Sequence, residues 1–280
     1  MKRFAIINAD DFGMSAGVNR AIVEAYDRGI LTSTSLMVTG AAFNEAVELA
    51  KTRPQLAVGL HLVLCCGRSA LPSSEIPHLV DRDRNFPSDP TVAGLRYQFS
   101  RAARVELKQE ITAQLEKFQQ TGLKLSHLDG HLHLHCHPVV LEIVSELAQR
   151  FAIEFVRLPD EELNLNLSFD RANFLTKLVW SFIFGRLRRG GENLFRKKQI
   201  GFADRVYGLL QTGKISEEYL LHLIGNIKKV NLIEIYAHPD LEGTGKQELA
   251  ALTSKRVEDL LRSHNFELTN YNELRMANFK

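Results

Sequence analysis

The chain has little cysteine: Cys65, Cys66 and Cys136 are all there is, and no CxxC pair occurs. An odd number without paired spacing argues against a disulfide framework, so Cys65 and Cys66 read as packed thiols. No apolar run reaches the roughly 18 residues that a membrane span needs. Ahead of Asn8 only Phe4 to Ile7 are apolar, too short a stretch for a secretory signal, and a cytoplasmic protein is expected. Net charge is +2 over 280 residues, too small an excess to argue for nucleic acid as a partner. Nucleotide and hydrolase signatures are missing as well. Gly243-Thr244-Gly245-Lys246 is followed by Gln247, and Asp240 stands where a P-loop needs its first glycine. There is no GxSxG elbow and no HExxH helix. No repeat of fixed period and no low-complexity linker divides the chain, so one domain over 1–280 is expected.

What remains is an alternation of short apolar runs and amphipathic stretches. Arg3 to Ala9 predicts a buried strand. Val18, Ala21, Ile22 and Ala25 recur at helical spacing before Gly29, the expected helix stop. Thr34 to Thr39 is a second strand and Ala42 to Lys51 a second helix. Leu56 to Leu64 is a third strand, apolar throughout except for His61. The four prolines of Gly67 to Pro90 predict a long irregular loop. Thr91 to Gln120 predicts one long helix. Further strands are expected at Glu154 to Leu158 and at Leu232 to Ala237, a last helix over Lys246 to Arg262, and a short extended piece near Phe266 to Asn270. Repeated βα units with near-continuous apolar strands imply an α/β fold with a parallel sheet, either a (β/α) barrel or a doubly wound sheet. Arg171 to Lys214 breaks this rhythm and reads as a helical and basic insertion.

The densest chemistry is His127 to Pro138, HLDGHLHLHCHP, which holds half of the ten histidines. Continued as a strand, it would place His127, Asp129, His131, His133, His135 and His137 on one face, because strand side chains alternate. Imidazole and carboxylate together are ligands for a divalent ion. The plain alternative is a solvated histidine-rich loop. Against it, out-of-place polar residues recur at strand ends: Asp10 and Asp11, His61, Asp129 and His131, Arg157, and His238. In parallel barrels the active site forms at the C-terminal ends of the strands. One carboxylate and two histidines leave open positions on the ion. One of the adjacent aspartates can bind it while the other faces substrate as a base. Arg157 can keep that base ionised, and His238 can deliver a proton. This set points to a water-activating hydrolase. Phosphoester hydrolysis, which usually wants two bridged metals, finds too few carboxylates.

Asn8-Ala9-Asp10-Asp11-Phe12-Gly13, Gly59-Leu60-His61-Leu62, His127-Leu128-Asp129-Gly130-His131 and Tyr236-Ala237-His238-Pro239 occur in that order along nearly the whole chain. They resemble the motifs of YdjC-like carbohydrate deacetylases. The LVL after His61, the segment Glu75 to Phe86 and the TGLKLSH before Leu128 are most similar to the hopanoid-biosynthesis-associated members. The resemblance implies an irregular, TIM-barrel-like (β/α) barrel and a metal-dependent hydrolase that removes N-acetyl groups from amino sugars. N-acetylglucosamine carried on a hopanoid lipid is the implied substrate. It implies Asp11, His61 and His131 as metal ligands and Asp10 as base. Arg157-Leu158-Pro159 is similar to the Arg-x-Pro motif of polysaccharide deacetylases, whose arginine orients the base. Leu132 and Leu134 separate histidines that are consecutive in many relatives, so His133 stays a rival third ligand. The donor set admits zinc or magnesium, and also manganese, cobalt or nickel. An inactive, metal-stabilised carbohydrate-binding protein is the alternative function, and an oligomer is left open.

Of the remaining histidines, His127 is expected to brace a neighbour and Asp129 to orient a histidine, while His135, His137, His78, His222 and His264 are expected at the surface. Phe174 to Leu187 has nine apolar residues in fourteen, its only charges being Lys177 and Arg186, and holds Trp180, the only tryptophan. Arg186, Arg188, Arg189, Arg196, Lys197 and Lys198 follow, with Glu192 the one acid among them. An apolar helix beside a basic patch is a means of touching an anionic membrane surface. Inward packing is the plain alternative.

Overall fold

The computed structural model of the chain describes residues 3–228 and 230–276. Seven strands, all parallel, run β1 (Arg3–Phe12), β2 (Ser33–Leu36), β3 (Ala57–Leu62), β4 (Leu128–Gly130), β5 (Arg205–Tyr207), β6 (Leu232–Ala237) and β7 (Phe266–Leu268). Their order in the sheet is β4-β3-β2-β1-β6-β5, with β7 paired to the first residues of β1. β1 is fully buried beyond its first two residues, as a central parallel strand covered on both faces must be. The sheet curls into a barrel-like wall. Single bridges from Val156 to Leu128 and from Phe155 to Gly201 span the gap between its edge strands. Arg157 therefore stands next to β4 although Glu154 to Leu158 is not the regular strand expected.

The helices cover this wall. α1 (Ala16–Arg28) starts where Ser15 accepts a hydrogen bond from the Val18 amide, and it buries Val18, Ala21, Ile22 and Ala25, the face the spacing predicted. Gly29 ends it for a different reason than expected. Its φ is −127°, and a Cβ there would sit 2.3 Å from the Leu252 carbonyl oxygen. After α2 (Phe43–Lys51) and the long loop, the expected single helix over Thr91 to Gln120 is two: α3 (Pro90–Phe99) and α4 (Arg101–Gln119). Ser100 turns extended between them and caps the second by accepting from the Ala103 amide. After α5 (Pro138–Phe151), α6 (Leu163–Phe169), α7 (Phe174–Lys198) and α8 (Glu217–Asn226), Ser254 divides the last expected helix in the same way. It separates α9 (Gly245–Leu252) from α10 (Lys255–Ser263), and α11 (Tyr271–Met276) closes the described chain.

Two expectations need correction. The histidine-rich stretch is a strand only over Leu128–Gly130; His131–Cys136 form a tight 3-10 turn in which Leu132 and His133 have φ of 50° and 55°. Two successive left-handed residues end the alternation of faces, so the imidazoles fan out instead of forming a ladder. Second, Arg171 to Lys214 is not helical throughout, since it contains β5, which pairs with β6. Its helix α7 packs on α5 and buries Lys177, Phe184, Arg188, Gly191 and Phe195. No helix among the described residues is long and apolar enough to cross a membrane.

Candidate active site

Strand β1 delivers two adjacent carboxylates in different directions. Its pairing with β2 slips between Ala9 and Phe12, and Asp11 has φ of 66°, a costly conformation for a non-glycine residue that tends to persist at functional sites. Gly13, at φ +94°, lets the chain turn away beneath the Met37 carbonyl oxygen, 3.1 Å from where a Cβ would stand. Asp10 thus faces the barrel interior and Asp11 faces β3 and β4.

Asp11, His61 and His131 come together. Asp11 Oδ1 lies 3.3 Å from His61 Nε2 and 3.0 Å from His131 Nδ1. One donor atom from each of the three falls within 4.8 Å of the others, as a metal site requires. The other nitrogen of His61, Nδ1, is 2.7 Å from Asp129 Oδ1. That bond turns Nε2 toward Asp11, where a metal ion could take the place of its proton, the usual arrangement behind a metal-ligating histidine. Burial alone would raise the Asp11 carboxyl, but hydrogen bonds from His131 and His61 hold it well below the usual carboxylate range. A second group, Asp10, His61 and Asp129, is as close, but its two carboxylates are already held by Arg157. His133 does not join either group. Its Nε2 is 2.7 Å from the Tyr236 hydroxyl, and its Nδ1 has no partner.

Arg157, fully buried, ties the interior together. It makes a two-pronged pair with Asp10, Nη1 to Oδ2 and Nη2 to Oδ1, both 2.7 Å. Nη2 also reaches Asp129 Oδ2 at 2.8 Å and Nε reaches Glu234 Oε1 at 2.7 Å. Burial works against the guanidinium, yet the surrounding carboxylates keep it charged. Asn8 Nδ2 steadies Asp10 at 2.8 Å, and the Ser35 hydroxyl donates to Asp129 Oδ2 at 2.7 Å. His238 stands at the end of β6 with Nε2 3.9 Å from Asp10 Oδ2, its backbone amide donating to Glu248. The expected catalytic residues Asp10, Arg157 and His238 are therefore neighbours, beside the three expected ligands.

Three buried carboxylates, Asp10, Asp129 and Glu234, face the one guanidinium, and a fourth, Asp11, faces His61 and His131. Burial pushes Glu234 up, and the Tyr271 hydroxyl donates to it. Burial works against a charge on His61, but Asp129 and Asp11 raise it to about 10; even with Glu234 neutral, three carboxylates then outnumber two cations, and buried charge must be paired. A divalent cation between Asp11, His61 and His131 would balance it, so the residues present fit a metal.

The residues around this core were only partly foreseen. His127 is a brace, as expected: its ring stacks on Tyr271 and is bonded to Ser35 and Ser126. It lies so close to β3 that a Cβ at Gly59 would be 2.4 Å from it. His135, expected at the surface, is fully buried with Nε2 2.9 Å from the Arg157 carbonyl oxygen. His137 is half-buried and caps α5 by accepting from the Val139 amide. Ser35, Asn8, Tyr271 and Glu248 escaped sequence reasoning. Glu234 had a signal, being the only charged residue within the apolar strand LIEIYA.

Burial lowers both His127 and His135 to about 4. An unfolded histidine titrates near 6.5, so below that pH the unfolded chain binds protons that the folded protein refuses. The contribution of these two histidines is full above about pH 6.5 and falls as the pH drops toward 4, by about 1.4 kcal/mol per unit for each. Urea midpoints measured across this range check it. His127→Gln should flatten the slope, and a curve equally steep in that variant would contradict the assignment.

Two cavities meet at this core. One, about 470 Å³, is lined by Asp10, His61, His131, His238 and the apolar Trp180, Ile183, Phe184 and Leu187 of α7. The other, about 420 Å³, is lined by Asp10, Asp11 and His238 together with Asp240, Glu242 and Thr244. A groove of about 680 Å³ between α4 and α5 lies away from these residues, and its Lys108 and Glu146 are paired with each other.

Comparison with known proteins places the chain. A carbohydrate deacetylase of Brevibacillus brevis is 32% identical over 280 residues, covering 96% of this chain and 98% of its own. A carbohydrate deacetylase of Geobacillus stearothermophilus is 42% identical over 154 residues, 55% of this chain and 59% of its own. A crystal structure of an Enterococcus faecalis protein, provisionally named for cellobiose-phosphate cleavage, superposes with a TM-score of 0.77 at 25% identity, covering 98% of this chain and 99% of that one. The YdjC-like protein family matches residues 4–263, within which every residue of the core just described falls except Tyr271, and the chain belongs to that family.

Proposed function

We propose that the protein is a metal-dependent hydrolase that removes the N-acetyl group from an N-acetylated amino sugar, the whole chain acting as one catalytic unit. One observation carries the reading: His61 and His131 of the Asp-His-His group line one cavity with the arginine-held Asp10 and His238, and Asp11 lines the adjoining cavity with the same Asp10 and His238, in a chain similar to carbohydrate deacetylases. Asp11, His61 and His131 would hold the ion, zinc or magnesium by donor type, with manganese, cobalt or nickel also compatible. Once bound, it supplies Lewis acidity toward the acetyl carbonyl and makes water a better nucleophile. Asp10 takes the proton of the attacking water. Arg157 keeps Asp10 ionised and fixes its direction. His238 gives a proton to the departing amine nitrogen as the amide C–N bond breaks. The products are acetate and the free amino sugar.

The two cavities divide the substrate between them. Asp240, Glu242 and Thr244 offer hydrogen-bond partners to a sugar, and Trp180, Ile183, Phe184 and Leu187 offer a dry wall to an apolar group attached to it. This favours a lipid-linked amino sugar, in keeping with the similarity to hopanoid-associated members, and a protein working at the inner face of the cytoplasmic membrane. Acetate release from N-acetylglucosamine conjugates tests the reaction. It should cease when a chelator strips the protein and return on adding one divalent metal. Asp11→Ala should lower the bound metal measured on the purified protein. Full activity in excess chelator would overturn the reading.

A further inference from the structure

The apolar wall of the larger cavity continues onto the outside of the protein. On α7, Phe174, Leu175, Leu178, Val179, Trp180, Phe182 and Ile183 are all exposed, Leu175 by 72% and Phe182 by 66%. Across the cavity mouth, α3 exposes Val92, Leu95 and Phe99, the last by 79%, while its Pro90 and Thr91 line the cavity. Leu132 is exposed between the two helices' ends and lines the same cavity. Both lips of the mouth are therefore apolar, and contiguous exposed apolar surface of this kind marks an interaction site.

Charge decides what covers it. Leu175, Leu178, Val179 and Phe182 lie on one ridge of α7, and that ridge runs on through Arg186, Arg189, Arg196 and Lys197, by the three- and four-residue spacing of a helix. Among the described residues, Arg186, Arg189, Lys197 and Lys198 form no ion pair. The one acid of this helix, Glu192, is held by Arg188 at 2.6 Å. Arg188 itself belongs to the interior, donating to the carbonyl oxygens of Leu158, Ala203 and Asp204, so the basic surface is smaller than the sequence implied. A second copy of the chain fits this surface poorly. It would bring like charges together, and because Trp180 and Ile183 are both patch and cavity wall, a protein fixed there would close the entrance.

We propose that the α3–α7 rim docks on an anionic lipid bilayer. Leu175, Val179, Phe182, Leu95 and Phe99 enter the headgroup layer, and Arg189, Lys197 and Lys198 meet lipid phosphates. The cavity then opens onto the membrane, so an amphiphile's apolar end passes along Trp180 without crossing water. This last step rests on the deacetylase reading above; the docking itself does not.

Trp180 is the chain's only tryptophan and stands on the rim 43% exposed, so it reports binding in the unmodified protein. With phosphatidylglycerol-phosphatidylcholine vesicles at low ionic strength its emission should shift to the blue, and high salt should reverse the shift. Phosphatidylcholine alone should bind far more weakly. Neutralising Arg189, Lys197 and Lys198 to Gln should weaken partitioning about 100-fold, at roughly fivefold per cation. Leu175→Ser with Phe182→Ser should remove the shift. Neither variant touches the cavity, so both should release acetate from a water-soluble N-acetyl sugar at the wild-type rate. An unchanged Trp180 spectrum with anionic vesicles would sink the docking proposal. So would a rim that light scattering and mutation show to be buried in a stable dimer. Vesicle binding by a protein that releases no acetate from any sugar would leave docking standing and remove the deacetylase reading.

Discussion

Asp10→Asn should keep the bound metal and lose between about 10² and 10⁴ in kcat, the usual range for a lost general base. The substitution is nearly isosteric. An amide oxygen at that position still accepts one bond from Arg157, and Asp11, His61 and His131 are untouched, so metal content should stay at the wild-type ratio. What disappears is the second oxygen of the two-pronged pair and the ability to take a proton. The loss should therefore fall on kcat with KM little changed, because the role is exercised in the transition state. His238→Ala separates the other half of the mechanism. It should slow amide substrates strongly but leave an activated aryl acetate almost unaffected, since a phenolate departs without a proton. Metal analysis beside steady-state kinetics checks both. Near-normal amide turnover by Asp10→Asn would falsify the assignment of the base.

Much of this site was legible because strand ends are simple to read. A buried strand is an unbroken apolar run, and where it meets a polar residue the chain has reached the rim of the sheet. Asp10, Asp11, His61 and His238 announced themselves in that way, and Leu232–Ala237 has the predicted ends. The turn after Gly130 was not legible. Its residues alternate like a strand, yet Leu132 and His133 adopt left-handed backbone that no side-chain pattern encodes and that contacts such as His133 with Tyr236 and His135 with the Arg157 carbonyl help to hold. Tertiary context overrode local preference there. The breaks at Ser100 and Ser254 were missed for a related reason. Neither glycine nor proline marks them, and a capping serine within a polar helical pattern is easily read as one more exposed residue. In α7 the sequence showed an apolar helix and a basic run but could not sort the cations. Arg188 and Lys177 are buried donors to backbone carbonyls, whereas Arg189 two-thirds of the way along the same helix is exposed.

Arg157 carries the largest expected effect on stability. Its guanidinium contacts both oxygens of Asp10, one of Asp129 and one of Glu234, and all four groups are out of water. Arg157→Met leaves three carboxylates crowded in a dry space without their cation. Breaking a buried pair from one side costs about 3–5 kcal/mol, and here three partners are stranded at once, so that figure is a lower bound. The carboxylates should respond by taking up protons, Glu234 first, since burial already raises it. The destabilisation should then shrink as the pH is lowered from neutrality, opposite in sign to the wild-type loss caused by His127 and His135. Glu234→Gln in the same background should recover part of the loss by removing one stranded charge. Arg157→Lys asks a different question. It keeps the charge, but an ammonium is a point donor and cannot hold Asp10 by two parallel bonds while reaching Asp129 and Glu234. That variant should fold with an intermediate urea midpoint and still lose turnover nearly as Asp10→Asn does, because the base is no longer aimed. If Arg157→Met matches the wild-type midpoint, the carboxylates are balanced by something other than this guanidinium. If Arg157→Lys is fully active, aiming Asp10 does not require the fork.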